Sequence, residues 1–131
     1  MPYRRALTAV LVAAMLAGCA ARSRTQRPAD SPAVASYSGP VCFLTSPLPT
    51  DVKATSVGKL LGSKRWYGGT NEVLQVAADE ARRSGADVVV NVKTGHRVSV
   101  WAWARPVASG DSYRLAEGVT IDCAKLGGTL R

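Results

Sequence analysis

The chain has 131 residues, of which 17 are basic and 9 are acidic, so its formal net charge is +8. This length provides one small hydrophobic core and excludes an arrangement of several domains. An excess of basic residues is typical of proteins that bind a polyanion. The cellular location then decides which polyanions the chain meets.

The N-terminal residues have the pattern of a bacterial secretion signal. Two arginines precede an apolar run over residues 6–16. This run is too short for a membrane-spanning helix, which needs about 20 residues. Two small residues then stand directly before Cys19, and the pattern resembles the lipobox of bacterial lipoproteins. The resemblance implies that residues 1–18 are a cleaved signal peptide and that Cys19 carries diacylglyceryl and palmitate chains.

The lipobox also predicts a location. Several acyl chains on Cys19 would form a stable membrane anchor, because each buried methylene contributes about 0.8 kcal/mol. Ala20 stands where an aspartate usually retains lipoproteins in the inner membrane. The resemblance to lipoproteins therefore implies an outer-membrane protein whose domain faces the periplasm. It meets no nucleic acid there, and the polyanions within reach are lipid headgroups, lipopolysaccharide and cell wall.

Residues 19–40 are predicted to be the lipidated N-terminus and a disordered, basic tether. They have almost no large apolar residue, so the segment would bury too little surface to fold by itself. As a flexible coil it would hold the domain roughly 25 Å from the membrane. Arg22, Arg24 and Arg27 either contact an anionic membrane surface or lie on a solvated tether, and the sequence leaves both open.

The globular domain is predicted over residues 41–126. Runs rich in β-branched and apolar residues predict four strands. They cover residues 41–45, 56–62, 87–94 and 97–105. One helix is predicted over residues 71–84, because arginines occupy its last turn and Gly85 follows it, while Thr70 or Asn71 can cap its start. The order strand–strand–helix–strand–strand predicts an α+β fold, a small, mostly antiparallel sheet with one helix packed on one face.

Alternation along the last two strands predicts which residues face the core. On the third strand Val88, Val90 and Val92 share the core face. On the fourth strand Val98 and Val100 are expected on that face. Both strands would then present a row of valines to the interior.

The other face of the fourth strand carries the candidate interaction patch, Trp101, Trp103 and Arg105. Because one helix covers one face of a sheet, the two tryptophans are predicted to be exposed, and exposed aromatic patches usually bind a partner. Residues 64–67, Lys-Arg-Trp-Tyr, can extend the patch. The alternative is that the tether, the C-terminal segment or another copy of the chain covers it, and the sequence leaves the oligomeric state open.

Two cysteines remain besides Cys19. In an oxidising compartment Cys42 and Cys123 are expected to form one disulfide, and two free, buried thiols are the alternative. With 80 residues between them, the loop-entropy model gives an upper figure of about 4–5 kcal/mol of stabilisation.

No pattern in the sequence predicts an enzyme, a metal site or a cofactor. His96 is the only histidine, and no cysteine or carboxylate stands at ligand spacing from it. The sequence has no nucleophile elbow, no zinc-protease motif and no phosphate-binding loop. The backbone at residues 68–71 can hold an anion at the helix start, or it is simply a flexible loop and cap.

The order of these parts and two stretches of sequence resemble a known family. The stretches are residues 44–49, LTSPLP, and residues 80–90, EARRSGADVVV. Over residues 19–123 the chain is similar to small outer-membrane lipoproteins of the RcsF-like type and, more distantly, to YbjQ-like domains. RcsF-type domains have four mature cysteines in two bridges, whereas this chain keeps only Cys42 and Cys123. The resemblance implies a lipid-anchored α+β domain.

Together these features predict a non-catalytic, lipid-anchored protein that acts as an interaction or sensor module of the bacterial cell envelope. Its expected partners are the membrane, through the lipid on Cys19, and an envelope protein, through Trp101, Trp103 and Arg105. The alternative function is a small-ligand or metal-binding periplasmic domain. Such a domain would use the loop at residues 68–71 or His96.

Overall fold

The computed structural model describes residues 20–100 and 102–131. The predicted signal peptide, Cys19 and Trp101 lie outside the described residues. Within them the α+β prediction is confirmed, since one helix packs against a six-stranded, mixed sheet. Among these residues no helix is both long and apolar enough to cross a membrane.

The sheet has six strands, two more than the four predicted. They are β1 (Arg22–Gln26), β2 (Cys42–Phe43), β3 (Ala54–Ser63), β4 (Val88–Arg97), β5 (Arg105–Leu115) and β6 (Thr129–Leu130). Their spatial order is β1–β3–β5–β4–β2–β6. In the described chain β2 and β4 run parallel, and the other neighbouring pairs are antiparallel.

The helix α1 spans Thr70–Ser84 and confirms the predicted element. It ends as expected, because Gly85 adopts a φ of 93° and its N–H reaches the carbonyls of the last turn, a conformation that favours glycine. Its start differs from the prediction. Gly69 is the N-cap and no side chain caps the helix, while Asn71 Oδ1 instead accepts a hydrogen bond of 2.7 Å from Arg131 Nη1.

The segment predicted to be a disordered tether belongs in large part to the fold. β1 is the edge strand of the sheet and pairs with β3, from Arg22 opposite Ser63 to Gln26 opposite Lys59. Further along, the Tyr37 N–H donates to the Arg82 carbonyl at 2.8 Å. An edge strand gains its stability from backbone hydrogen bonds to its neighbour, so it needs few large apolar side chains of its own.

The core lies on both sides of the sheet. On the side of α1 the buried residues come from β3, the helix and β4, and include Val57, Leu60 and Val89. On the other side a second cluster contains Leu44, Val88, Val90 and the two cysteines, covered by Ile121 and Leu126 of the C-terminal segment. Cys42 and Cys123 form the predicted disulfide, which ties that segment to β2.

A bulge in β4 corrects the prediction that Val88, Val90 and Val92 share one face. Asn91 has a φ of 52°, and the register with β5 shifts between Val90 and Lys93. One extra residue at a bulge reverses the side to which the following side chains point. Val92 therefore packs on the side of α1, opposite to Val88 and Val90.

The strand predicted over residues 97–105 is wrong. β4 continues to Arg97 and β5 begins at Arg105, so the described residues between them form a loop that connects the two strands. Val98 and Val100, predicted to face the core, are 80 % and 96 % exposed. Within this loop the Ser99 N–H donates a hydrogen bond of 2.7 Å to the Ala102 carbonyl.

Candidate functional site

One half of the sheet is open on the side opposite α1. Leu60 packs in the cluster beside the helix, so its neighbour Leu61 points to the other side of the sheet. Arg24 lies opposite Leu61 in the β1–β3 pair and shares that side. The second cluster, with the C-terminal segment, lies over β2 and the first half of β4 instead.

On this open side the sheet forms a shallow groove with a volume of about 730 Å³. Its floor comes from the middle of β3 and β5, including Leu61, Val107 and Ser109. Five basic side chains line it from three strands. We call this surface the cationic groove, and its basic residues are Arg22, Arg24, Lys93, Arg97 and Arg105.

The charges of the cationic groove are not neutralised within the described chain. The salt bridges found there join other cations to carboxylates, such as Lys64 to Glu72 at 2.7 Å and Arg83 to Glu80 at 3.0 Å. No aspartate or glutamate is among the residues that line the groove. Like charges gathered on one concave surface create a positive potential that attracts anions.

Arg105 has a further feature that favours an anionic ligand. Its Nε atom is buried and has no hydrogen-bond partner among residues 20–100 and 102–131. A buried donor without a partner is unfavourable, and a guanidinium N–H is a strong donor to phosphate or carboxylate oxygens. Arg105 therefore offers a donor that an anion in the groove can satisfy.

Exposed apolar side chains gather at the end of the same half of the sheet. The described chain has six large hydrophobic side chains that are exposed, and five of them lie in two neighbouring loops. They are Trp66 (38 %), Tyr67 (48 %), Val98 (80 %), Val100 (96 %) and Trp103 (75 %), which we call the apolar tip.

Two contacts join the loops of the apolar tip. The rings of Tyr67 and Trp103 meet edge to face with their centroids 5.9 Å apart. His96 Nε2 lies 3.4 Å from the Gly68 carbonyl oxygen. The loop that follows β3 and the loop between β4 and β5 thus form one continuous surface, and a cluster of this kind marks a binding site more often than scattered apolar residues do.

No protein-family model matches the chain, and neither a curated protein nor a solved structure is significantly similar to it. The RcsF-like resemblance therefore stays a prediction. The geometry of the described residues has to support any functional assignment.

The structure places the sequence-predicted patch residues as follows. Trp103 is exposed at the apolar tip, Arg105 lines the cationic groove, and Trp101 lies outside the described residues. The physical reason for the exposure of Trp103 differs from the predicted one. Trp103 is exposed because it belongs to a connecting loop, whereas the prediction placed it on an uncovered sheet face.

Sequence reasoning missed several residues of this surface. The sequence pattern places Arg22 and Arg24 in the tether, and Val98 and Val100 in the core. The signal for the two arginines is present in residues 22–26, Arg-Ser-Arg-Thr-Gln, where large and small polar residues alternate with the period of a strand. Arg27 does not belong to the groove, since its Nη2 donates to the Ser84 carbonyl at 3.0 Å.

The two alternative sites have little that would hold a ligand. His96 is exposed, and the described residues contain no group of three or more His, Cys, Asp and Glu that could hold a metal ion. At the helix start Asn71 is engaged by Arg131. Glu72, paired with Lys64, places a carboxylate in the first turn, where it competes with any anion for the N-terminal amides.

Proposed function

We propose that the protein is a non-catalytic, lipid-anchored interaction module of the bacterial cell envelope. In this proposal Cys19 carries the lipid, the anchor lies in the outer membrane, and the domain faces the periplasm. The observation that supports it is the continuity of the cationic groove with the apolar tip. Such a surface is suited to binding, because it combines unpaired cations with exposed aromatic and aliphatic side chains.

The chemistry of the surface favours binding over catalysis. The groove contains basic side chains, and a guanidinium group is a poor general acid or base. His96 lies at the edge of the groove, and no carboxylate there is positioned to act with it as acid and base. The side chains of the cationic groove can orient an anionic partner. They do not form an acid–base pair for proton transfer.

The lipid anchor is tested by metabolic labelling. A clickable palmitate analogue is expected to label the wild-type chain and to leave Cys19→Ala unlabelled, because the thiol is the predicted acceptor. Equal labelling of the two proteins would remove the anchor from the proposal.

The interaction is tested by photocrosslinking in intact cells, where the sequence predicts an envelope protein as partner. A photoreactive amino acid at position 103 is expected to give a specific adduct. Glu117 is the control position, since it is exposed and follows the opposite end of β5. If position 103 gives no adduct above this control and Trp103→Ala has no phenotype, the proposed interaction surface is wrong.

A further inference from the structure

The sheet register fixes where the lipidated end of the chain leaves the domain. Arg22 lies opposite Ser63, the last residue of β3, and Ser63 lies opposite Val107 near the start of β5. The chain before Arg22 therefore leads out at the end of the sheet that carries the apolar tip. Only two residues separate Cys19 from Arg22, and the reach from one to the other is about 11 Å at full extension.

From this placement we infer that the cationic groove and the apolar tip dock on the membrane that holds the lipid of Cys19. The ligand is the anionic headgroup region of that bilayer. The inference rests on the proposed lipid anchor. In it the domain lies on the lipid surface, whereas a disordered tether would hold the domain away from the membrane. It deepens the proposed function by naming the partner of the surface.

The short connection is the first support. A free tether over residues 19–40 would place the domain roughly 25 Å from the membrane on average. Because β1 begins at Arg22 and is paired along its length with β3, only the residues before Arg22 can act as a tether. They are too few to hold the domain 25 Å from the membrane. Tethering so close to the bilayer also gives the groove a high effective concentration of headgroups.

The chemistry of the surface is the second support. Phosphate groups of anionic lipids match the unpaired guanidinium and ammonium groups of the groove, and the attraction adds up over several basic residues. Tryptophan and tyrosine favour the boundary between headgroups and acyl chains, where one end of the ring is apolar and the other is wet. Val98 and Val100 supply aliphatic groups at the same end.

The distribution of the other charges is the third support. The paired cations Lys125 and Arg83 bond to Asp122 and Glu80 elsewhere on the domain, so acidic groups accompany basic ones there. The cationic groove, which lies toward the lipid end, has no aspartate or glutamate among its lining residues. This asymmetry orients the domain on an anionic bilayer.

The test uses the acylated full-length chain reconstituted in vesicles of phosphatidylethanolamine and phosphatidylglycerol. A photoreactive amino acid at position 100 reports contact with lipid, and one at position 117 is the control. Lipid adducts are expected at position 100 in several-fold excess over position 117. The excess should be lost in vesicles of phosphatidylcholine alone, which carry no net charge.

The groove is tested with a matched pair of double variants in the same vesicles. Lys93→Gln/Arg97→Gln removes two groove cations, and Lys53→Gln/Lys125→Gln removes two exposed lysines outside it. The first variant is expected to lower the lipid adduct at position 100 by about thirtyfold, given the usual contribution of each basic residue near an anionic surface. The second is expected to leave it unchanged, and an intact disulfide in both verifies the fold.

Equal lipid adducts at positions 100 and 117, or equal effects of the two double variants, would overturn membrane docking. A protein adduct at position 103 in cells, with no lipid adduct in vesicles, would also overturn it while leaving the interaction module in place. Failure of the palmitate label would instead remove the anchor, and with it the proposed function itself.

Discussion

The two halves of the sheet are built in opposite ways. In the half formed by β2 and the start of β4, side chains are buried on both faces, and a disulfide fixes the C-terminal segment across one of them. In the half formed by β1, β3 and the far ends of β4 and β5, α1 covers one face and the other is the cationic groove. The covered half provides stability, and the open half provides a surface for binding.

The difference shows how a domain of this size accommodates an exposed basic face. A small chain buries a modest fraction of its surface, so its stability depends strongly on a few well-covered residues and on crosslinks. Concentrating these in one half allows the other half to gather unpaired cations and exposed aromatic rings. Variants that act on one half alone test this division.

The largest effect is expected from removing the disulfide of the covered half. Cys42→Ala/Cys123→Ala should lower the free energy of unfolding by about 2–4 kcal/mol, because the unfolded chain regains the entropy of a long loop. The melting temperature should fall by about 10–20 °C. Calorimetry measures the change, and peptide mapping without reductant should find one linked pair. Two alkylatable thiols in protein from the periplasm would contradict the disulfide.

The same substitution in each half gives the next largest difference. Val88 is fully buried, whereas Val100 is 96 % exposed. Val88→Ala should lower the free energy of unfolding by about 2 kcal/mol, since it removes buried methyl groups and leaves a cavity. Val100→Ala should change it by less than about 0.5 kcal/mol. Denaturant titration of both variants measures the difference, and equal destabilisation would show that the two halves are not distinct in this way.

A smaller effect tests whether β1 belongs to the open half as a strand. Glu80 Oε1 accepts a hydrogen bond of 3.0 Å from the Thr25 N–H, so a side chain of α1 binds the backbone of β1. Glu80→Ala should lower the free energy of unfolding by about 1 kcal/mol and speed amide exchange in residues 22–26. Asp79→Ala is the control, because it breaks only an exposed pair with Arg82. If residues 22–26 exchange fast in the wild type, the segment is a tether after all.

The parts of the fold that the sequence predicted are those with local signals. The C-terminus of α1 follows from arginines in the last turn and from Gly85, whose left-handed conformation requires no other part of the chain. The disulfide follows from counting cysteines. The central strand β4 follows from its run of β-branched residues.

The strands β1 and β5, which were not predicted, depend on tertiary contacts that cannot be read from a single sequence. β5 escaped prediction because none of its buried residues is β-branched or aromatic; they are Pro106, Ala108, Gly110 and Ser112. At Gly110 a neighbour lies close: a Cβ there would come within 2.6 Å of Val89 Cγ1. β1 escaped because it forms by pairing with β3. The candidate site was therefore predicted in part, with Trp103 and Arg105 found and the strands around them misplaced.

The smallest effect on stability, and the sharpest division between the halves, is expected for Trp103. Its side chain is 75 % exposed and its ring contacts Tyr67 edge to face. Trp103→Ala should change the free energy of unfolding by less than about 0.5 kcal/mol, yet it should lower the lipid adduct at position 100 several-fold, since it removes the most exposed aromatic ring of the apolar tip. Trp103→Phe should retain part of the adduct, because an aromatic ring is kept. A loss of stability comparable to that of Val88→Ala would mean that Trp103 is a core residue, and that the open half is not free to bind.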